Sequence, residues 1–195
     1  MAAGRPRDED ARRRILDAAL QLIGEQGPAQ VRIDAIAAAA GVGKQTIYRW
    51  WPTKTAVVLD ALVEQTMAET PFPNTDDTRA DLRAHMLAVV RLFRSPTGCV
   101  VRELVADSQG DPAVAAEFRA RFWQTRRNLS AGCVTAGIAR GQIRQDLPVE
   151  TALDALYGVL WMRLLVGHRE LDEATVDEVL DVLWPGMARP QATGH

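Results

Sequence analysis

Lysine is almost missing from this sequence: Lys44 and Lys54 are the only two, and 21 of the 23 cationic side chains are arginines. Cysteine is as scarce. Cys99 and Cys133 stand apart, without the C-x-x-C spacing of a zinc site or the several pairs of a disulfide framework, and both are expected as small buried hydrophobes. The histidines, at 85, 168 and 195, belong to no H-x-E motif, and there is neither a nucleophile elbow nor a glycine-rich phosphate loop. His85 and Cys99 are the one base and nucleophile pair available, but they fall on separate predicted helices with nothing to orient the imidazole. The sequence thus gives no basis for an enzyme, a metal site or a cofactor. No apolar run approaches the ~18 residues of a membrane span, and the opening "MAAGRPRDEDARRR" has no signal-peptide core. These absences predict a cytoplasmic protein with no membrane partner.

What is present is an ordinary globular composition, 47% hydrophobic and 25% charged, with an uneven charge. Residues 1–56 carry nine Arg and Lys against six Asp and Glu, while the remainder carries 14 against 19, for a net charge of −2. A basic first third on an acidic body predicts an anionic partner for the N-terminal part alone.

Every strong period is helical, and no alternating strand pattern or internal repeat appears, so the expectation is an all-α chain of about nine helices. Ile15, Ala18, Ala19, Leu22 and Ile23 form one face of a first helix ending near Gly27-Pro28. Ile33, Ile36, Ala37 and Ala40 form a short second helix stopped by Gly41, and a third runs from about Gly43 to Trp50 and is cut off by Pro52. Thr53 is a credible N-cap for a fourth helix, which gives way to the proline-rich connector "TPFPNTDD" at 70–77. Beyond it, Leu82, Met86, Val89, Val90 and Phe93 form one stripe, and Val100, Val101, Leu104 and Val105 a shorter one. Asp111-Pro112 opens a helix to about Arg140 with Val114, Phe118, Phe122, Leu129 and Cys133 on one side. The last two helices carry Leu153 to Leu165 and Val176 to Trp184.

Two short helices joined by "AAGVG" have the size of a helix-turn-helix, whose second helix enters the major groove. Ala37 is small where the helices cross, Gly41 suits a positive φ, and Val42 and Ile47 can fill the space between. At 100° per residue, Ile47 and Trp51 face inward together, and Gln45 and Arg49 point away from the core. Glutamine pairs with adenine and arginine with guanine at major-groove base edges. Thr46 and Tyr48 offer hydroxyls at the height of the phosphates; Lys44, at the helix N-terminus, lies near phosphate or base, Arg32 can reach a phosphate, and the indole N–H of Trp50 either does so or its ring packs. Lys54 opens the next helix, where its ammonium and the free N–H groups would both meet a phosphate.

These residues resemble the N-terminal domain of the tetracycline-repressor (TetR/AcrR) family of transcription regulators. The pattern I-A-x-x-A-G-V, then T-[LI]-Y, an aromatic three residues on and a lysine, stands here as Ile36-Ala37, Ala40-Gly41-Val42, Thr46-Ile47-Tyr48, Trp51 and Lys54. The match spans about the first 60 residues. Carried over residue by residue, it assigns DNA contacts to Lys44, Gln45, Thr46, Tyr48, Trp50 and Lys54; Arg49 rests on helical phase. Three positions depart from the pattern: Arg32 replaces a capping Ser or Thr, Gly43 a frequent Ser, and Trp51 the commoner Phe.

The resemblance implies a repressor released from a palindromic double-stranded DNA operator by a small-molecule effector. It also implies that the middle helices enclose a pocket and the last two build a homodimer. Pocket candidates by residue type are Met86, Phe93, Phe118, Phe122 and Trp123, with His85 and Arg126 as polar anchors for an apolar or aromatic effector. Dimer candidates are Leu153, Leu156, Tyr157, Leu160, Trp161, Leu164, Val176, Val179, Leu180, Leu183 and Trp184. The corresponding organisation is a flexible basic arm at 1–7, a DNA-binding domain at 8–52, an effector-binding and dimerisation domain at 53–187, and a flexible tail at 188–195. A ligand-independent or architectural DNA-binding regulator would carry the same N-terminal motif.

Overall fold

The structure, a computed structural model, describes the backbone of residues 5–189 and the side chains from residue 9 onward. Most of the expected arm and tail therefore lies outside the described residues. The elements are α1 (Arg5–Gln26), α2 (Ile33–Ala40), α3 (Lys44–Trp50), α4 (Lys54–Glu69), α5 (Thr78–Arg94), α6 (Pro96–Gly110), α7 (Pro112–Glu117), a π-helical turn (Phe118–Trp123), α8 (Gln124–Ala139), α9 (Val149–Val166) and α10 (Glu173–Met187). Because α7, the π turn and α8 follow one another without a break, they form one rod, and the count is the expected nine among the described residues.

The boundaries follow the local chemistry. Gly41 takes φ 64°, ψ 39°, and its N–H turns back onto the carbonyls of Ala37 and Ala38, ending α2 in the left-handed cap that glycine permits. Thr53 Oγ1 accepts the N–H of Ala56 at 3.0 Å to start α4. Asp111 accepts from Ala113 and Val114 with Pro112 at the first helical position.

Two compact units result, residues 1–66 with 99–125, and residues 67–98 with 126–195. In the first, α1, α2 and α3 pack around Ile15, Ile36, Ile47 and Trp51, all at most 1% exposed. The same unit contains most of α4, most of α6, and the rod as far as Thr125. In the second, α5, α9 and α10 pack around Leu82, Met86, Leu156, Leu160, Val176 and Leu180. Arg83 on α5 grips Asp177 on α10 with two bonds at 2.6 and 2.9 Å, and Arg127 on α8 pairs with Glu150 and Asp154 on α9. Gly137 lets α8 approach the start of α5 closely; a Cβ there would lie 2.6 Å from Thr78 Oγ1. The end of the chain is tied down as far as Arg189, whose N–H donates to the Gln142 carbonyl at 2.9 Å beside a bridge between Ile143 and Ala188.

Two expectations need correction. The cysteines are not both buried: Cys99 is exposed and Cys133 half-buried. The rod also changes phase. Phe118 and Phe122 are buried as expected, but after the π turn the buried positions are Ser130, Val134 and Gly137 rather than Leu129 and Cys133. A π turn inserts one extra residue into the helical repeat, which moves the inward face on by one position.

Candidate nucleic-acid interface and effector region

On α3 the inward side chain Ile47 is fully buried, and so is Trp51, which caps the helix C-terminus with its N–H on the Ile47 carbonyl. Gln45, Tyr48 and Arg49 are exposed and Thr46 is half-buried, so the face opposite the anchors is the polar one. Lys44 reaches Asp34 at 2.7 Å, but both ends are more than half exposed. Such a pair contributes under ~1 kcal/mol, weak enough for the ammonium to move to a phosphate. The Arg49 guanidinium lies 5.9 Å from the Trp50 ring centre, a cation–π distance. Trp50 Nε1 is buried without a hydrogen-bond partner among the described residues. Arg32 precedes α2 with an extended backbone and makes no side-chain cap.

Lys54 opens α4 as expected. It is half-buried, and Nζ donates to the carbonyls of Pro28 at 3.3 Å and Ala29 at 3.1 Å, covering the turn after α1. An ammonium has three N–H groups, so one is left for a further acceptor. The two bonds tie the start of α4 to the turn after α1.

A second anchor for α3 was invisible to sequence reasoning. Trp51 Nε1 donates to Asp60 Oδ2 at 2.7 Å, and Arg121 Nη1 reaches both oxygens of the same carboxylate at 3.0 and 3.1 Å. Thr53 Oγ1 meets Glu117 at 2.8 Å one helical turn before Arg121. The base of α3 is thus tied through Asp60 on α4 to the π turn. No local signal marks this, because Asp60 and Arg121 lie 61 residues apart.

The expected pocket residues divide between the units. Phe118 and Phe122 stack on each other at 5.3 Å in the first unit, and Trp123 follows them half-buried. His85, Met86, Phe93 and Arg126 belong to the second, so the seven do not form one cluster within either unit. Met86 and Phe93 are core, Phe93 packing edge-on against Trp161 at 5.1 Å. His85 is buried; Phe72 from the connector stacks on its ring at 4.0 Å and 4°, and Nδ1 lies 2.8 Å from the Tyr157 hydroxyl. Burial, assisted by nearby Arg126, pushes the His85 pKa down to about 3. Arg126 is itself lowered by burial, and its Nη1 meets Thr70 Oγ1 at 3.2 Å. Burial raises Tyr157 strongly, against a hydrogen bond from Ser130. A cavity of about 490 Å³ adjoins this cluster, lined by Met67, Pro71, Phe72, Leu129, Cys133 and Arg140 among others.

The expected dimer residues divide between the chain's own core and its surface. Leu153, Leu156, Leu160, Leu164, Val176, Val179 and Leu180 are buried within their own chain, and Tyr157, Trp161, Leu183 and Trp184 are half-buried. The seven buried side chains serve the chain's own core, whereas the four half-buried ones keep surface that a partner could cover. Of the six exposed large apolar side chains among the described residues, five lie on these helices: Val159, Met162, Leu165, Val166 and Val182. The sixth is Tyr48 on α3.

Comparison with known proteins covers both units. Residues 15–61 match the family described as "Bacterial regulatory proteins, tetR family", and residues 72–183 match "Tetracyclin repressor-like, C-terminal domain". The chain is 36% identical over 190 residues to the HTH-type transcriptional regulator YdeS of Bacillus subtilis, covering 97% of this chain and 96% of that one. It is 30% identical over 164 residues to the HTH-type transcriptional regulator AqdR of Rhodococcus erythropolis, covering 84% and 78% of the two chains. The crystal structure of the TetR family transcription regulator SCO0332 superposes with a TM-score of 0.84 at 34% identity, over 91% of this chain and 98% of that one.

Proposed function

Because the chain belongs to the TetR family of transcriptional regulators, we propose that it is a repressor. It binds a palindromic operator as a homodimer and leaves it when a small molecule occupies the second unit. The observation that carries the reading is the split character of α3: Ile47 and Trp51 are enclosed while Gln45, Tyr48 and Arg49 stand outward on one short helix. Gln45 and Arg49 read base edges, and Thr46, Tyr48, Lys44 and Arg32 hold phosphates. Trp50 supports this face: Arg49 rests over its ring, and a phosphate oxygen would satisfy its indole N–H after a small side-chain movement. Lys54 contributes through its remaining N–H and through holding α4 in place. The partner-facing surface is the stripe Val159, Met162 and Val166 with Leu165 and Val182, a patch unusual on a lone chain and suited to a two-fold contact.

Selection of bound fragments from a random DNA library at physiological salt tests the proposal. The expected product is a palindromic motif with half-sites about one helical turn apart. Gln45→Ala is expected to relax preference at one position of each half-site at a cost of ~1–3 kcal/mol. Enrichment without any motif, or an unchanged motif for Gln45→Ala, would overturn the assignment of the reading face.

A further inference from the structure

The centre of the second unit is unusual for a helical core. His85, Arg126, Tyr157 and Ser130 come together there with Thr70, and their polar atoms are held away from water. Apolar side chains of the same size would fill this space at lower desolvation cost. One wall of the cluster is not built by a helix. Phe72 sits on the connector between α4 and α5, flanked by Pro71 and Pro73, and two residues before Asn74, whose φ is 54°. Its ring lines the 490 Å³ cavity and also lies parallel on the imidazole of His85, 4.0 Å away. The ring therefore stands between an open cavity and a buried polar cluster. Phe72 belongs to no helix, so a displacement of its ring would not require a helix to unwind.

We infer that Phe72 is an internal stand-in for the effector, and that the effector is an aromatic carboxylate whose ring replaces Phe72 on His85 while its carboxylate pairs with Arg126. The inference rests on the ligand-responsive reading above and adds the chemistry of the ligand. The neutral ring of His85 offers a flat face that prefers another aromatic plane. Arg126 offers a planar fork of donors suited to a carboxylate, and the hydroxyls of Thr70, Ser130 and Tyr157 supply the remaining polar contacts. With Phe72 swung out, the cavity and the vacated ring position are continuous, and their volume lies in the range of small-molecule sites. Apolar Met67, Pro71 and Leu129 would cover the outer edge of the ring.

The test uses the full chain, its selected operator and a panel built on one ring system: 1-naphthoate, 2-naphthoate, 2-naphthamide, 2-naphthylmethylamine and decanoate, with benzoate and salicylate as smaller carboxylates. Thermal shift, operator release and the His85 imidazole resonances are read for the wild type, Phe72→Leu, Phe72→Ala and Arg126→Gln. Phe72→Leu fills the space without an aromatic face, which guards against a misfolded alanine variant. At least one aromatic carboxylate is expected to raise the melting temperature, release the operator and move the His85 resonances. It should bind about 3- to 10-fold more tightly to Phe72→Leu, because the competing stack is gone. Arg126→Gln is expected to weaken the carboxylates about 10- to 100-fold and leave 2-naphthamide within about 3-fold. If the amide, amine or decanoate releases the operator while every aromatic carboxylate fails, or Phe72→Leu leaves carboxylate affinity unchanged, this inference falls and ligand responsiveness stands. If no compound in the panel or in a wide metabolite library shifts stability or releases the operator from any of the folded variants, both fall together.

Discussion

Asp60 is the most direct place to break the coupling between α3 and the rest of its unit. Its carboxylate accepts the Trp51 indole N–H at 2.7 Å and faces Arg121 at 3.0 and 3.1 Å. In Asp60→Ala, Trp51 stays enclosed with a donor that has lost its acceptor. An unsatisfied buried N–H costs ~1–3 kcal/mol. The Arg121 pair is about a quarter to a third exposed at each end, so its loss adds only ~0.2–1 kcal/mol, since Arg121 regains water. The expected destabilisation is therefore ~1–4 kcal/mol, measured by urea denaturation at fixed protein concentration, because the stability of the proposed dimer would depend on concentration. Trp51→Phe removes the donor and keeps the plug, so it should cost less, and the double variant should cost little more than Asp60→Ala alone. The cycle isolates a coupling energy of ~1.5–2.5 kcal/mol. The same cycle read on operator affinity should also be non-additive, since both changes release the base of α3. A stability coupling below ~0.5 kcal/mol would refute the view that this hydrogen bond fixes the helix.

Three other outcomes are expected. Lys54→Met keeps the apolar stem and removes the donors to Pro28 and Ala29; it should lower stability by ~1 kcal/mol without DNA, seen as an earlier urea midpoint. An unchanged midpoint would return Lys54 to a purely phosphate-binding role. His85, with a folded pKa of about 3 against an ordinary 6.5, binds its proton more readily when the chain is unfolded. Stability should therefore be complete above pH ~6.5 and fall as pH drops towards 3, by up to ~1.4 kcal/mol per unit. His85→Phe should flatten that part of the wild-type curve, and parallel curves would refute the assignment. Met162→Asp places a charge in the exposed α9 stripe and should yield folded monomers with weaker operator binding in analytical ultracentrifugation and mobility-shift assays. A dimer as tight as the wild type would move the interface elsewhere.

The part of the chain that punctuates itself was legible. Gly41, Pro52, Thr53 and Asp111-Pro112 end or start helices by local backbone chemistry, and α2, α3, α4 and α7 begin and end beside them. The outward residues of α3 were legible for the same reason, since seven residues allow no drift in phase. Helical periodicity fails where two apolar faces compete. The leucines of α9 made the stronger stripe and went to the chain's own core, leaving the weaker Val159, Met162, Val166 set outside. It fails again across the π turn, whose extra residue leaves no trace in composition. Long-range partners such as Asp60 with Arg121, or Phe72 with His85, depend on packing that no local window contains.

The surplus residue in Phe118–Trp123 has a consequence for how this rod tolerates change in length. Removing any one of its six residues would let the hydrogen bonding settle into an uninterrupted α-helix, so local structure would improve. Everything after it would nevertheless roll by about 100°. Ser130, Val134 and Gly137 would swing off the packed side, and Gly137 would no longer be the residue opposite Thr78. The segment works like a vernier set one notch off zero. A substitution within the turn would leave the register as it is, whereas a single-residue deletion would change it.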